Sequence, residues 1–370
     1  MIKVLSIVGT RPEVIKMAPV IHQLHKEKQI KSFVASTAQH REILDQMLAF
    51  FEIKPDFDLN IMEKNQSLPE LTAKLPIPLD NLLREVKPDI VLAQGDTTTA
   101  FLVSLACFYR KIPFGHVEAG LRTRDRFDPF PEEMNRTLIS QLASFHFAPT
   151  QGAVDHLLSE GIKKDLIYLT GNTCIDALGY VFANEKGVKV DEGIDRSKKL
   201  ILVTTHRREN WGDKLEQICE AIKQLADRNE GVQIVLPIHP NPNVRGTILS
   251  KLGGHPRILL VEPLSYEKFV ILMKRAYLIL SDSGGVQEEA PSLGTPVLIL
   301  RETTERPEAC EVGAAHLVGT KAGEIVAAAQ ELLDDPRKRQ AMVVKESPFG
   351  DGRAASRIVE VIRLWGARGG

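Results

Sequence analysis

Ten short, mostly apolar runs punctuate this chain, and segments with helical periodicity fill the intervals between them. The runs are Ile2–Val8, Phe33–Thr37, Ile90–Ala93, Pro113–Val117 and Phe145–Ala148, then Leu200–Thr204, Val232–Ile238, Ile258–Val261, Leu278–Leu280 and Val297–Leu300. Most have a Gly, Pro or Asp at one end or within two residues of it. A strand with one face in water alternates apolar and polar residues. A continuous apolar run reads instead as a parallel strand covered by helices on both faces. The first interval fits this pattern. Pro12 stands at a favoured first helical position, and Val14, Met17, Ala18, Ile21 and Leu24 then fall on one helix face.

The series pauses over residues 183–199, a polar, charge-rich stretch, and restarts at Leu200. A chain of 370 residues also suits two domains better than one. The pattern therefore predicts an α/β protein of two Rossmann-like, doubly wound parallel-sheet domains, residues 1–172 and 173–353, facing a central cleft. Ligands bind such sheets at the carboxyl ends of the strands.

Several function classes fall away on composition. Formal net charge is -1, so no broad basic surface advertises nucleic acid or an anionic membrane. No stretch is long and apolar enough to span a bilayer, and the N-terminus reads as a first strand, not a signal peptide. Cys107, Cys174, Cys219 and Cys310 are far apart with no C-x-x-C pair. That argues against a zinc knuckle and fits reduced structural thiols in a cytoplasmic protein.

Four constellations sit at strand ends. Gly9-Thr10-Arg11-Pro12-Glu13 joins the first strand to the first helix. Free backbone N–H groups and a positive helix end there would suit an anion, with Arg11 and Lys16 adding charge. An ordinary turn with surface basics is the alternative. The pattern is not G-x-G-x-x-G, so a dinucleotide gains no support. Ser281-Asp282-Ser283-Gly284-Gly285 opens a second helix, with Glu289 one turn in. Its glycines would let the backbone approach a pyrophosphate, and Glu289 would accept from ribose hydroxyls. A glycine turn with an N-capping Ser competes with that reading.

The third constellation is acidic: Asp96, Glu118 and Glu132, each beside a strand end. Asp96 could instead cap the helix beginning at Thr97, and Glu132 could pair with Arg136 one turn on. Glu118 has no helix to cap. The fourth is Thr204-Thr205-His206-Arg207-Arg208-Glu209-Asn210, with His239 after the next strand. His206 and the arginines would face phosphate, though a lone histidine is more often structural. Two anion sites plus acids point to a nucleotide-sugar enzyme of the GT-B architecture, without separating transfer from epimerisation.

The chain resembles the non-hydrolysing UDP-N-acetylglucosamine 2-epimerases of bacteria over nearly its whole length. The resemblance rests on GTRPEVIKMAPVI, TAQHREILDQ, GDTTTA, HVEAGLRT, PFPEEMNR, THRREN, HPNPNVR, SDSGGVQEEAPSLGTPVLILRETTERPE and PFGDGRAASRI, in that order. It implies a GT-B-like homodimer without a redox cofactor or metal, and a final helix, about 354–370, that joins the first domain. It assigns Arg11, Lys16 and His206 to the substrate and its diphosphate. Ser283, Gly284 and Gly285 would hold phosphate, Glu289 the ribose, and Leu264 and Phe269 the uracil, with Arg306 completing the nucleotide pocket. Asp96, Glu118, Glu132 and Arg136 would surround the sugar, where UDP-N-acetylglucosamine and UDP-N-acetylmannosamine interconvert. Gln39, Gln66, Glu132, Arg207 and His239 match residues of a second, activating nucleotide-sugar site. Glu42 and Asn65 depart from that site's usual Gln and Arg. A GT-B glycosyltransferase, a hydrolysing epimerase and a non-catalytic nucleotide-sugar sensor are the competing readings.

Overall fold

The structure is a computed structural model and describes residues 1–37, 41–61, 66–185, 188–190 and 193–367. Contacts divide the chain into two compact units, Met1–Tyr180 with Phe349–Gly370, and Val181–Pro348.

The first unit is built on seven strands: β1 (Ile2–Val8), β2 (Ile30–Ser36), β3 (Phe57–Asp58), β4 (Ile90–Gln94), β5 (Phe114–Val117), β6 (Phe145–Ala148) and β7 (Ile167–Leu169). They pair in the order β3-β2-β1-β4-β5-β6-β7, every pair parallel. The central strand β4 is buried at all five positions. Leu5, Ile7, Val91 and Ala93 pack with Leu79, Leu82, Val103 and Phe114 in one core. Each fully buried aliphatic side chain there adds about 1.5–3 kcal/mol.

The second unit repeats the plan with β8 (Lys199–Thr204), β9 (Val232–Pro237), β10 (Ile258–Val261), β11 (Leu278–Ser281), β12 (Val297–Ile299) and β13 (Ala315–Leu317). Their order is β10-β9-β8-β11-β12-β13, again all parallel. Both sheets reverse direction beside their first strand, between β1 and β4 and between β8 and β11. At such a switch point the connections on either side run apart, which opens a crevice at the strand ends. Residues 9–13, Asp96, residues 204–210 and residues 281–285 follow the four strands at these two points, while Glu118 and His239 follow the neighbouring strands β5 and β9.

The strands β3, β7 and β13 add to the ten apolar runs, each at a sheet edge and each two or three residues long. The first boundary by contacts lies beyond the expected residue 172. Tyr180, on the helix Thr173–Ala183, stacks on His22 with ring centroids 5.4 Å apart and meets Phe51 at 5.1 Å. The last helix, Ala354–Ala367, belongs to the first unit. Asp176 caps it by accepting from the backbone N–H groups of Ala354 and Ala355 at 3.1 and 3.0 Å. Farther along, Trp365 meets Phe145 edge-on.

Candidate active site

In the first unit the helix Arg11–Lys26 starts from a capping box. Thr10 caps it and accepts from Glu13 N–H, and Pro12 sits in the first turn. Glu13 answers by accepting from the N–H groups of Gly9 (2.6 Å) and Thr10 (2.8 Å), and from the Thr97 hydroxyl (2.6 Å). One buried carboxylate therefore latches the turn after β1 to the turn after β4. Burial pushes its pKa up, against these hydrogen bonds. The expected open anion nest is thus not what the structure shows, because an internal carboxylate already occupies those two N–H groups. Arg11, beside them, is half-buried.

Lys16 lies one turn further along the helix, is buried, and pairs with Glu118. Glu118 also accepts from Gln94 Nε2 at 2.9 Å and Asn172 Nδ2 at 2.8 Å. Its φ is +65°, a left-handed conformation that costs a side-chain-bearing residue about 1–3 kcal/mol and persists only where the surroundings hold it. Here the end of β4, the first helix and the turn after β7 each supply a donor. Asn172 is fixed in turn, its N–H donating to Phe349 O at 2.7 Å and its Oδ1 accepting from Cys174 N–H at 3.1 Å.

Asp96, two residues past β4, pairs with buried Arg136, which also lies 3.4 Å from Glu133. Asp96 is not the cap of the next helix; Thr97 is, accepting from Ala100 N–H at 3.1 Å. Arg136 lies on the helix Glu132–Leu142, whose first residue, Glu132, is half-buried. Glu133 accepts from the N–H groups of Thr123 and Arg124, at 3.0 and 2.9 Å, and so holds the loop after Glu118.

In the second unit Asp282 organises the switch point. It has no solvent exposure, and it accepts from Thr205 Oγ1 (3.0 Å), His206 N–H (3.0 Å), Arg207 N–H (3.1 Å) and Asn210 Nδ2 (3.0 Å). His206 Nδ1 lies 3.3 Å from the same carboxylate, while the ring itself is largely exposed. His239 stacks on that ring with centroids 6.0 Å apart, and burial, then His206, push its pKa down.

Ser283 stands at the N-cap position of the helix Gly284–Ser292, but its side chain makes no capping hydrogen bond among the described residues. The first N–H groups of the helix keep their capacity for an anion. Gly284 is pressed against Arg306: a Cβ there would lie 2.6 Å from the Arg306 Nη1. Arg306 pairs with Glu288 and Glu305. Glu305 further engages Arg207 at 3.2 Å and fully buried Arg301 at 2.7 Å, and Arg301 also meets Glu209 at 2.8 Å. Burial alone would raise the Glu305 pKa. Arg306, Arg207 and Arg301 outweigh it and hold the carboxyl well below the usual range. Glu289 is buried and accepts from the Tyr266 hydroxyl at 3.1 Å. That bond joins it to the segment carrying half-buried Leu264 and Phe269.

The structure thus gathers Lys16 with Glu118, and Asp96 with Arg136, at the strand ends of the first unit. In the second it gathers His206, Arg207 and His239 around one turn, and Ser283, Gly284, Gly285, Glu289 and Arg306 around another. Gln66 is half-buried, and Gln39 and Asn65 lie outside the described residues. Sequence reasoning passed over Glu13, Asn172, Glu305 and the latching role of Asp282. The Thr10-x-x-Glu13 spacing signals a capping box, and an acid closing β11 is visible in the sequence. Nothing local marks Asn172 or Glu305. Among the described residues no group of three or more His, Cys, Asp or Glu could hold a metal, and no helix is long and apolar enough to cross a membrane.

Comparison with known proteins agrees over nearly the full length. A family model described as UDP-N-acetylglucosamine 2-epimerase matches residues 22–363. The UDP-N-acetylglucosamine 2-epimerase of Salmonella typhimurium is 49% identical over 98% of this chain and 99% of its own. The Neisseria meningitidis UDP-GlcNAc 2-epimerase, in a crystal structure bound to UDP-GlcNAc, superimposes with a TM-score of 0.94 at 49% identity, covering 98% of this chain and 100% of that one. The Methanocaldococcus jannaschii enzyme, in complex with UDP-GlcNAc and UDP, gives 0.85 at 36% identity, with the same coverage. With an open phosphate-type helix start in one unit and paired acids at the strand ends of the other, this chain belongs to the UDP-N-acetylglucosamine 2-epimerase family.

Proposed function

We propose that the protein interconverts UDP-N-acetylglucosamine and UDP-N-acetylmannosamine by inverting C2 of the sugar, without hydrolysing the nucleotide sugar. In this reading the second unit grips the uridine diphosphate and the first supplies the acid–base groups. The observation that carries it is the pair of carboxylates at the end of β4 and β5, Asp96 and Glu118, each fixed by its own cation.

The chemistry explains why acids are needed. The C2 hydrogen of the pyranose has no ring carbonyl beside it, so direct deprotonation is out of reach near neutral pH. Breaking the anomeric C–O bond first changes this. UDP departs with the bonding electrons, and positive charge develops at C1. A carboxylate removes the C2 hydrogen as a proton, and the C2–H electrons form the C1=C2 bond of 2-acetamidoglucal. Protonation of C2 from the opposite face and attack of the UDP oxygen on C1 complete the inversion. Asp96, Glu118 and Glu132 are the candidates for base, acid and electrostatic support of C1.

The leaving group needs fixed donors. Arg207, Arg301 and Arg306 are already paired with Glu305, Glu288 and Glu209. Their role is then mainly to shape the loop, and the departing phosphate leans on the helix start at Gly284 and on exposed His206. Glu289 would take the ribose, with Leu264 and Phe269 beside the base. Incubation with UDP-N-acetylglucosamine alone in D2O, followed by NMR, tests the proposal. Deuterium at C2 of both UDP-sugars is expected. Free N-acetylmannosamine would indicate hydrolysis, and an unchanged substrate would indicate a transferase or a sensor.

Assembly as a homodimer belongs to the same reading. It is supported by exposed Ile77, Phe108 and Tyr109 on the first unit, and a monomer in sedimentation would refute it. A second UDP-N-acetylglucosamine as activator would touch Arg207 and His239. The stacking of His239 on His206 gives it a direct route to the leaving group. Hyperbolic kinetics in substrate, with no activation of the reverse reaction, would remove that element.

A further inference from the structure

His116 has no place in the chemistry above, yet it is fully buried at the third position of β5, two residues before Glu118. Its Nε2 lies 2.7 Å from Gly95 O. A carbonyl can only accept, so Nε2 carries the hydrogen. Burial pushes the His116 pKa down to about 3, against the Gly95 bond, and the ring is neutral at working pH. Nδ1 is then a bare acceptor, with no hydrogen-bond partner among the described residues. A phenylalanine would fill this volume with no bare Nδ1, but it would leave Gly95 O without this donor. The unpartnered Nδ1 is a cost, and the one hydrogen bond the ring makes among the described residues is the one to Gly95.

That bond acts on Asp96. Gly95 O belongs to the peptide unit that carries Asp96 N–H. The next peptide unit carries Asp96 O, which accepts from Asn135 Nδ2 at 2.8 Å. Gly95 has φ of +79°, and its N–H donates to Val117 O at 3.0 Å. Both peptide planes flanking the Asp96 Cα are therefore pinned by side chains from other elements. Two fixed planes fix the Cα–Cβ direction, and Arg136 fixes the carboxylate at its end.

We infer that His116, together with Asn135, is a positioning residue that aims the Asp96 carboxylate at the sugar. The inference rests on the reading that Asp96 acts on the substrate. Misplacing a reacting group by an ångström costs up to about 100-fold in rate.

The test measures kcat, KM and UDP affinity for H116F, H116Q, N135A and D96N in the full chain. H116F should lose about 10- to 100-fold in kcat, with UDP affinity and KM unchanged. H116Q, whose Nε2 reaches Gly95 O, should recover most of that loss. N135A should lose kcat in the same sense as H116F. A purely structural histidine would lower the melting temperature and leave kcat of the folded protein alone. Should H116F fail to fold, H116N decides: it is polar but too short to reach Gly95, and a kcat equal to that of H116Q overturns the inference. So does wild-type kcat in H116F beside an inactive D96N. An active D96N would instead remove the assignment of Asp96 on which the inference stands.

Discussion

Replacing Gly284 by alanine adds one methyl group where the structure has no room for it. The new Cβ would lie 2.6 Å from Arg306 Nη1 and 2.8 Å from its Cζ. A guanidinium on a flexible stem could ordinarily swing aside. This one is held by Glu288 and Glu305, both buried, and Glu305 is itself shared with Arg207 and Arg301. Relief therefore falls on the helix start, which must move away from Arg306. Overpacking of this kind costs about 1–3 kcal/mol. If binding requires the helix start to return, the same energy weakens UDP by roughly 5- to 150-fold. For a unit of this size the melting temperature should fall by about 2–12 °C. Calorimetric titration with UDP and a thermal melt measure the two effects. Gly285 offers the control for the melt, since a Cβ there meets nothing closer than Ser283 Oγ at 4.0 Å. G284A with wild-type UDP affinity and wild-type melting temperature would show that Arg306 does not confine the phosphate turn.

Two further outcomes concern buried charge. Glu305→Gln leaves Arg207, Arg301 and Arg306 short of their shared partner, and chemical denaturation should show a loss of about 3–5 kcal/mol. Because the folded pKa of Glu305 is depressed, its contribution is present above the ordinary value of 4.5 and is lost as pH falls below it. The stability gap between wild type and E305Q should therefore narrow in acid, and a gap independent of pH would count against the ion-pair account. Burial also pushes His116 to about 3 and His146 to about 4, from an ordinary 6.5. The unfolded chain binds those protons first, so stability should fall on acidification below pH 6.5, by on the order of 1.4 kcal/mol per pH unit and per histidine. Urea midpoints between pH 7 and 5 read this slope; H116Q should lessen it, and an unchanged slope would contradict the assignment.

Strands buried on both faces were legible because nothing interrupts their apolar runs: β4 is covered at every position. The strands that escaped, β3, β7 and β13, are edge strands of two or three residues in which Ala315 alone of the eight positions is buried. A run that short carries no periodicity. The site divides in a similar way. Gly284 and Gly285 announce a close backbone approach by their identity. Glu118 gives no hint of its left-handed backbone, because the Lys16 and Asn172 that hold it stand 102 and 54 residues away in sequence. The Gly9–Glu13 turn misled because its spacing serves an anion or a capping box equally well. Only the arrival of Thr97 from beside β4 shows that an internal carboxylate already fills the place.

The division of labour between the units can be read in a single variant. Glu118→Gln keeps the shape of the side chain but removes the charge paired with Lys16, and leaves every contact of the second unit in place. Its UDP affinity by calorimetry and its deuterium incorporation at C2 of UDP-N-acetylglucosamine should separate, with binding as in wild type and exchange abolished. Retained exchange, or loss of both together, would contradict the assignment of C2 chemistry to the amino-terminal unit.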